Sequence, residues 1–497
     1  MVRMGKKQEL VRNFRLLTSI AFTSCVMGTW EILLTSNTPA LTAGGLAGLW
    51  WQCKQTAVLL SPGEMASMAP TAGGQYHWVS EFALPRAQKP LSYTSGWLST
   101  TAWQSFIAVD SFICAALIQP CISLNDPTYT TLLMIALVCG MGTFNIFLAQ
   151  WLAIIEAFFA ILHHVAWIPI IVILWVMTPQ KQSSKTIFTE FTDNGAGWEN
   201  IGITVCVGQV GAMFTAVGSD ASAHMAEEIR DAGVTVPRSM WYFICNKGLT
   251  LIVLVTYCSC IGDLATTPEA ANGFPFVEVF LQSTGSTQAA TGLTALISIL
   301  LLIISTSCMA STSRATFAFA RDDGMVASRW ISKVSSREKI PVNNVIVTIG
   351  FTVVMSLINL GSTTAFNAFL SVSVVALMAT YTLSIACILR RRLNDKDPLP
   401  TARWRLFGAS APVGSREGDL GKYGVPINAF AMLYSVWSFF WSFRPITRDV
   451  APETVNWAVL IFGSIMIISA IAFVAHARKV YEGSVARVQR SVNVSAE

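Results

Sequence analysis

Charge is the scarcest thing in this chain. Asp, Glu, Lys and Arg make up 12% of its 497 residues, about half the share found in soluble globular proteins. A soluble chain of this length needs two or three domains with charged surfaces, so the composition excludes that class. Cysteine is thin too. Eleven residues are too few for a disulfide scaffold, and Cys25, Cys114, Cys139, Cys206 and Cys258 fall inside apolar runs, where helix packing is their default role. No nucleophile–base or metal-ligand spacing stands out, so no enzyme, metal or cofactor is expected. The net charge of +5 arises from basic residues in loops between apolar runs, a pattern set by membrane topology and not by nucleic-acid binding.

What the chain has in excess is apolar length: 53% of it is hydrophobic. A window of about 19 residues gives spans at 16–36, 46–69, 93–118, 129–148, 151–177, 201–226, 238–262, 284–310, 343–361, 365–389, 425–444 and 455–476. The fold class expected is therefore an all-α polytopic membrane protein with about twelve transmembrane helices and short tails at 1–15 and 477–497. With both termini inside, cytoplasmic segments collect about 27 of the 33 basic residues, which the positive-inside rule favours. Met1 to Arg15 carries five of these before a full-length apolar run without a clean cleavage site. The first span is thus expected to remain in the protein.

Spans 1 and 6 share a polar, small-residue interruption: Gly28, Thr29, Trp30 and Glu31 in one, Gly218, Ser219, Asp220, Ala221 and Ser222 in the other. Five spans separate them, which suits two inverted five-helix repeats whose first helices break at the bilayer midplane. A broken helix frees N–H and C=O groups to bind a solute. Ionisable residues inside spans cost about 2.5–3.5 kcal/mol each on insertion scales. They are Glu31, Lys54, Asp110, Glu156, His163, His164, Asp220 and Lys247. Glu31 and Asp220 sit at the breaks, where either carboxylate could pair with an amine or carry a proton. Adjacent imidazoles point about 100° apart on a helix, so His163 and His164 do not chelate one metal, though a single histidine could carry a proton.

Three segments then stand out: EMASMAPTAGGQYHWVSEFA (Glu64 to Ala83), VGSDASAHMAEEIRDAGVTVPRSM (Val217 to Met240) and STSRATFAFARDDGMVASRWISKV (Ser311 to Val334). Together they resemble the signature segments of fungal amino acid, choline and GABA permeases, within the amino acid–polyamine–organocation transporter superfamily. The resemblance runs over roughly residues 15–480. It implies twelve helices, a five-plus-five inverted repeat with helices 1 and 6 broken, and secondary active transport. It places substrate-binding residues at Gly28, Thr29, Trp30, Glu31, Phe214, Gly218, Ser219 and Asp220, with Phe214 as the occluding aromatic. Coupling falls to Asp220, Ser305 and Thr306, although hydroxyls in such helices commonly bond their own i−4 carbonyl. Glu227, Glu228, Arg230, Arg321 and Asp322 read as a cytoplasmic gate, or else as capped and solvated helix ends. Trp97, Trp103 and Tyr381 lie on spans that line the family's site, where rings attract an ammonium group. Tyr76, His77 and Trp78 are expected at the membrane interface.

One stretch departs from the family pattern. Between Gly44-Gly45 and EMASM, residues Gln52, Lys54, Gln55 and Thr56 interrupt the apolar run, leaving span 2 about eight or nine residues short of the 20 a span needs. Pro62 is expected to break what remains. The reading is a transporter for a small amine-bearing solute with a proton as co-substrate, placed in the plasma or vacuolar membrane. The alternatives are a non-transporting nutrient receptor on a permease scaffold, or a transport-defective variant with an incomplete span 2.

Overall fold

The computed structural model describes residues 9–52, 56–122, 127–215, 217–262, 273–359, 365–394, 399–400, 404, 420–450, 455–481 and 483. Lys54 and Gln55, the charge and amide that interrupt span 2, lie outside these residues, as does most of the C-terminal tail.

The protein is an all-α polytopic membrane protein. Among the described residues, eight helices are long and apolar enough to cross a bilayer: Leu16–Ser36, Pro85–Cys121, Thr128–Phe147, Ala149–Met177, Ala232–Cys260, Thr287–Arg321, Leu370–Leu393 and Ala458–Val480. Ile201–Phe214 and Val342–Ile358 are shorter apolar helices, and Gly424–Trp441 adds 18 residues. The two-residue strands Ala43–Gly44 and Thr192–Asp193 pair antiparallel.

Side-chain placement is that of a protein solvated by lipid. On the helix Leu152–Met177, Ile154, Phe158, Ile161, Val165, Ile168, Val172 and Val176 are exposed, an apolar stripe at helical spacing. The opposite face buries Glu156, Ala160, His163, Ile170 and Leu174. The polar groups are turned inward because hydrocarbon offers them no partner.

The helix Thr287–Arg321 organises the interior. Its 35 residues rise about 50 Å, well beyond the roughly 30 Å hydrocarbon core. One helix can therefore reach the breaks through Ile304 and Cys308 and also carry Arg314 and Arg321 to the face where residues 9–15 pack. It packs along Pro85–Cys121, which begins eight residues earlier than the span expected at 93.

Span 2 is represented by the helices Gly45–Gln52 and Thr56–Met68. Here an expectation fails, because Pro62 lies inside the second helix instead of ending it. Proline removes one backbone donor, and membrane helices tolerate this where neighbouring helices surround the site. Thr56–Met68 packs against Ala232–Trp241 and Gly424–Trp441, and Asn428 donates to the Ser61 hydroxyl at 2.9 Å.

Candidate functional site

The first break forms at Gly28, whose φ of 39° and ψ of 45° put it in the left-handed region between the helices Leu16–Met27 and Thr29–Ser36. Glycine adopts this conformation without the Cβ penalty other residues meet. The second break follows Phe214, the last residue of its helix, and the chain turns through Gly218 at φ 99° before the short helix Ala221–His224. The two breaks touch. A Cβ on Gly218 would lie 3.5 Å from Val26 Cγ1 and 3.9 Å from Met27 Cα. Thr287–Arg321 flanks them, with Cys308 Sγ on the Val26 carbonyl at 3.9 Å and the Ser311 hydroxyl donating to the Ala221 carbonyl at 3.0 Å.

Asp220 is fully buried at the second break. Its carboxylate accepts hydrogen bonds from the Gln75 side-chain amide and from the Tyr381 hydroxyl at 2.8 Å, and it faces His224 Nε2 at 3.3 Å. His224 Nδ1 lies 2.9 Å from the Ala72 carbonyl. A carbonyl only accepts, so Nδ1 carries a proton. The Trp103 ring stands edge-on to His224 with centroids 5.3 Å apart. Side chains from two distant helices and from the carboxylate's own segment thus converge on Asp220. A buried anion left unpaired is strongly destabilising, whereas hydrogen bonds to a charged group contribute about 1.5–3 kcal/mol each.

Lys247 stabilises the same break from the other side. Its ammonium donates to the Thr215 carbonyl and hydroxyl at 3.1 and 3.2 Å, placing a cation at the C-terminal end of Ile201–Phe214, where the helix dipole favours one.

Other expected site residues are distributed differently. Glu31 pairs with His163 on the next layer of helix, Oε1 to Nδ1 at 2.6 Å. Trp30 follows it, stacking on His163 and donating Nε1–H to the His163 carbonyl at 3.3 Å. Thr29 donates to the Asn246 carbonyl at 3.2 Å. Phe214 stacks on Phe106 with centroids 4.6 Å apart. Both the Ser305 and the Thr306 hydroxyls donate to their own i−4 carbonyls, Leu301 at 2.8 Å and Leu302 at 2.7 Å. A helix satisfies a hydroxyl locally where no better acceptor lies within reach. Thr306 instead lines an apolar cavity of about 360 Å³ between the helices Pro127–Phe147, Leu152–Met177 and Thr287–Arg321, whose lining includes none of the break residues. Trp97 belongs to an aromatic cluster with Tyr93 near the docked C-terminal segment and does not line the breaks.

The expected gate residues form ion pairs, but with other partners. Arg314 donates Nε–H to Glu228 Oε1 at 2.7 Å, with side-chain exposures of 0% and 7%. Arg321 grips Glu227 with both terminal nitrogens. Asp322 accepts from the Tyr76 hydroxyl at 3.0 Å. Arg230 does not join Glu227 or Glu228. Its Nε donates to the Arg12 carbonyl at 3.3 Å, beside an isolated parallel bridge between Phe14 and Ile229. Tyr76, His77 and Trp78 are buried, because their helix Gln75–Phe82 packs inside the bundle against Pro85–Cys121. Residues that sequence reasoning missed are Gln75, His224, Arg314 and the buried pair Glu64–Arg392. All of these but Arg392 lie within the quoted motifs, and that was the available signal.

Two abutting helix breaks around a buried, multiply bonded carboxylate inside a lipid-facing bundle define a membrane transport protein of the broken-helix type. Comparison with known proteins agrees. The amino acid permease family matches residues 14–467, and the chain belongs to that family. A Macrophomina phaseolina protein named as a candidate amino acid/polyamine transporter is 28% identical over 88% of this chain and 96% of its own length. An uncharacterized amino-acid permease of Schizosaccharomyces pombe is 26% identical over 97% and 88%. The amino-acid permease BAT1 of Arabidopsis thaliana is 25% identical over 98% and 95%.

Proposed function

We propose that the chain is a secondary active transporter that imports a small amine-bearing solute together with a proton by alternating access. The solute class is amino acids, GABA or choline-like compounds. The observation that carries this reading is the contact between the two helix breaks beside the fully buried Asp220. The relatives' names, amino-acid permease and amino acid/polyamine transporter, support the solute class.

In this reading the substrate lies between the breaks. A substrate carboxylate meets the N-terminal end of Thr29–Ser36, where the helix dipole favours an anion. The amine meets carbonyl groups near Gly218 to Asp220, with the Asp220 carboxylate as its counter-charge. The bundle of spans 1, 2, 6 and 7 rocks against a scaffold of spans 3, 4, 8 and 9. The pairs Glu228–Arg314, Glu227–Arg321 and Asp322–Tyr76 close the exit on the face where both termini dock. The bias of basic residues makes that face cytoplasmic, in the plasma membrane or, as the alternative, the vacuolar membrane.

The test is uptake of labelled solutes into vesicles, with a competition panel of amino acids, GABA, choline and polyamines at two pH values. Saturable accumulation that Asp220→Asn abolishes at normal expression is the expected result. Unchanged kinetics in Asp220→Asn would remove that residue from the site, and binding without accumulation by the wild type would point to a receptor.

A further inference from the structure

We propose that Glu31 and His163 together form a proton-binding pair, separate from the Asp220 cluster, that reports the position of the broken first span to the fifth. The inference rests on the transport reading for its role, though not for its chemistry.

The two side chains are 0% and 3% exposed and meet at 2.6 Å. Their remaining polar atoms, Glu31 Oε2 and His163 Nε2, are buried and have no hydrogen-bond partner among the described residues. A buried carboxylate beside a neutral imidazole is a net anion. Adding one proton gives either carboxylate with imidazolium or carboxylic acid with imidazole, and both are net neutral. The single short contact lets that proton sit on either partner. The proton comes from water on one side of the membrane and leaves to water on the other, with no bond made or broken beyond its own.

The location makes this binding sensitive to conformation. Glu31 rides on Thr29–Ser36, directly after the Gly28 break, whereas His163 is fixed in Leu152–Met177. Movement of one helix against the other separates the pair and admits water, and a group whose proton affinity differs between two conformations couples proton uptake to the change between them. The other titratable groups facing the pair are few. His164 lies on the same helix, its ring 4.9 Å from His163 and its Nδ1 2.7 Å from the Ala160 carbonyl. Glu156 lies two turns before His163 on the same buried face and accepts from the Ser307 hydroxyl, Cys25 lies on the first half of span 1, and Tyr242, Cys245 and Lys247 lie on the segment packed across from them. Lys247 is bound to Thr215. His164 is thus the group most easily confused with His163.

Trp30 supplies a built-in reporter, with its indole stacked on His163 at 6.2 Å between centroids and 28° between planes. An imidazolium quenches a stacked indole more than a neutral imidazole does. Tryptophan emission of the purified full-length protein is titrated from about pH 5 to 9, and the Trp30 component is isolated by difference from Trp30→Phe. The expected result is an acid-side quenching step that disappears in His163→Gln, persists in His164→Gln and moves to lower pH in Glu31→Gln. Where His163→Gln does not fold, the displacement in Glu31→Gln carries the test. In proteoliposomes loaded with whichever panel solute the wild type transports, the ratio of proton-driven accumulation to solute exchange should fall at least tenfold in His163→Gln. A quenching step that survives His163→Gln, or that stays in place in Glu31→Gln, overturns the pair. A His163-dependent step in a protein that transports nothing on the panel sustains the proton site and refutes the transport reading.

Discussion

The Glu228–Arg314 pair offers the sharpest test of the proposed cytoplasmic gate. Both side chains are removed from solvent, with Arg314 Nε 2.7 Å from the carboxylate. In Glu228→Gln the guanidinium stays buried against a neutral amide. Removing one partner of a buried ion pair typically costs about 3–5 kcal/mol. If that cost falls on the closed state, where alone the pair is dry, the open population rises by roughly two to three and a half orders of magnitude, at about 1.4 kcal/mol per tenfold. The protein carries its own probe. Cys308 is fully buried on the same helix, two turns from Arg314 toward the breaks, with Ser311 between them. Labelling by a soluble maleimide, read at Cys308 by mass spectrometry of purified full-length protein, should quicken at least tenfold in Glu228→Gln. The paired change Glu228→Leu with Arg314→Met should return the rate toward wild type, since replacing a buried pair by apolar groups is often neutral or stabilising. Labelling within twofold of wild type in a folded Glu228→Gln protein would refute the gate, and a double variant as fast as the single would show local damage in place of a lost lock.

Gly28→Ala should be poorly stable, because alanine in the left-handed region costs about 1–2 kcal/mol and its methyl would collide with the Ile304 side chain. Ile304→Ala should relieve the collision but not the backbone strain, giving a thermal midpoint above the single Gly28→Ala variant; a double variant that is simply additive would refute the contact. At the C-terminal segment, Tyr481 is fully buried, bonds Ser92 at 3.0 Å and sits 5.3 Å from the Tyr93 ring. Tyr481→Phe should therefore lose about 0.5–1.5 kcal/mol and Tyr481→Ala about 3–5 kcal/mol in unfolding measurements. Equal losses in the two variants would mean that the ring does not pack as described.

Much of the fold was legible because its signals are local. Apolar runs, loop charges and small polar interruptions at Gly28 and Gly218 each depend on a few neighbouring residues, since a helix in lipid must satisfy its backbone within itself. Asp220 was legible for the same reason, as a charge in an apolar span. Its partners were not, because Gln75 and Tyr381 lie 145 and 161 residues away, and nothing in the spacing says which helices become neighbours. Proximity in sequence also misled at Arg230, which lies beside two glutamates in the chain while Arg314 and Arg321 take them in space. Pro62 misled because an isolated helix would break where a packed one does not.

By itself, then, the sequence determined that this chain spans a membrane, where two of its helices break and that Glu31 and Asp220 lie at those breaks. Only the tertiary structure decided how those charges are matched: Glu31 with His163, Asp220 with Gln75, Tyr381 and His224, and Glu228 with Arg314. The physical reason is that the cost of burying a charge is paid residue by residue and can be read along the chain, whereas its compensation comes from a second helix whose position is fixed only when the whole bundle packs.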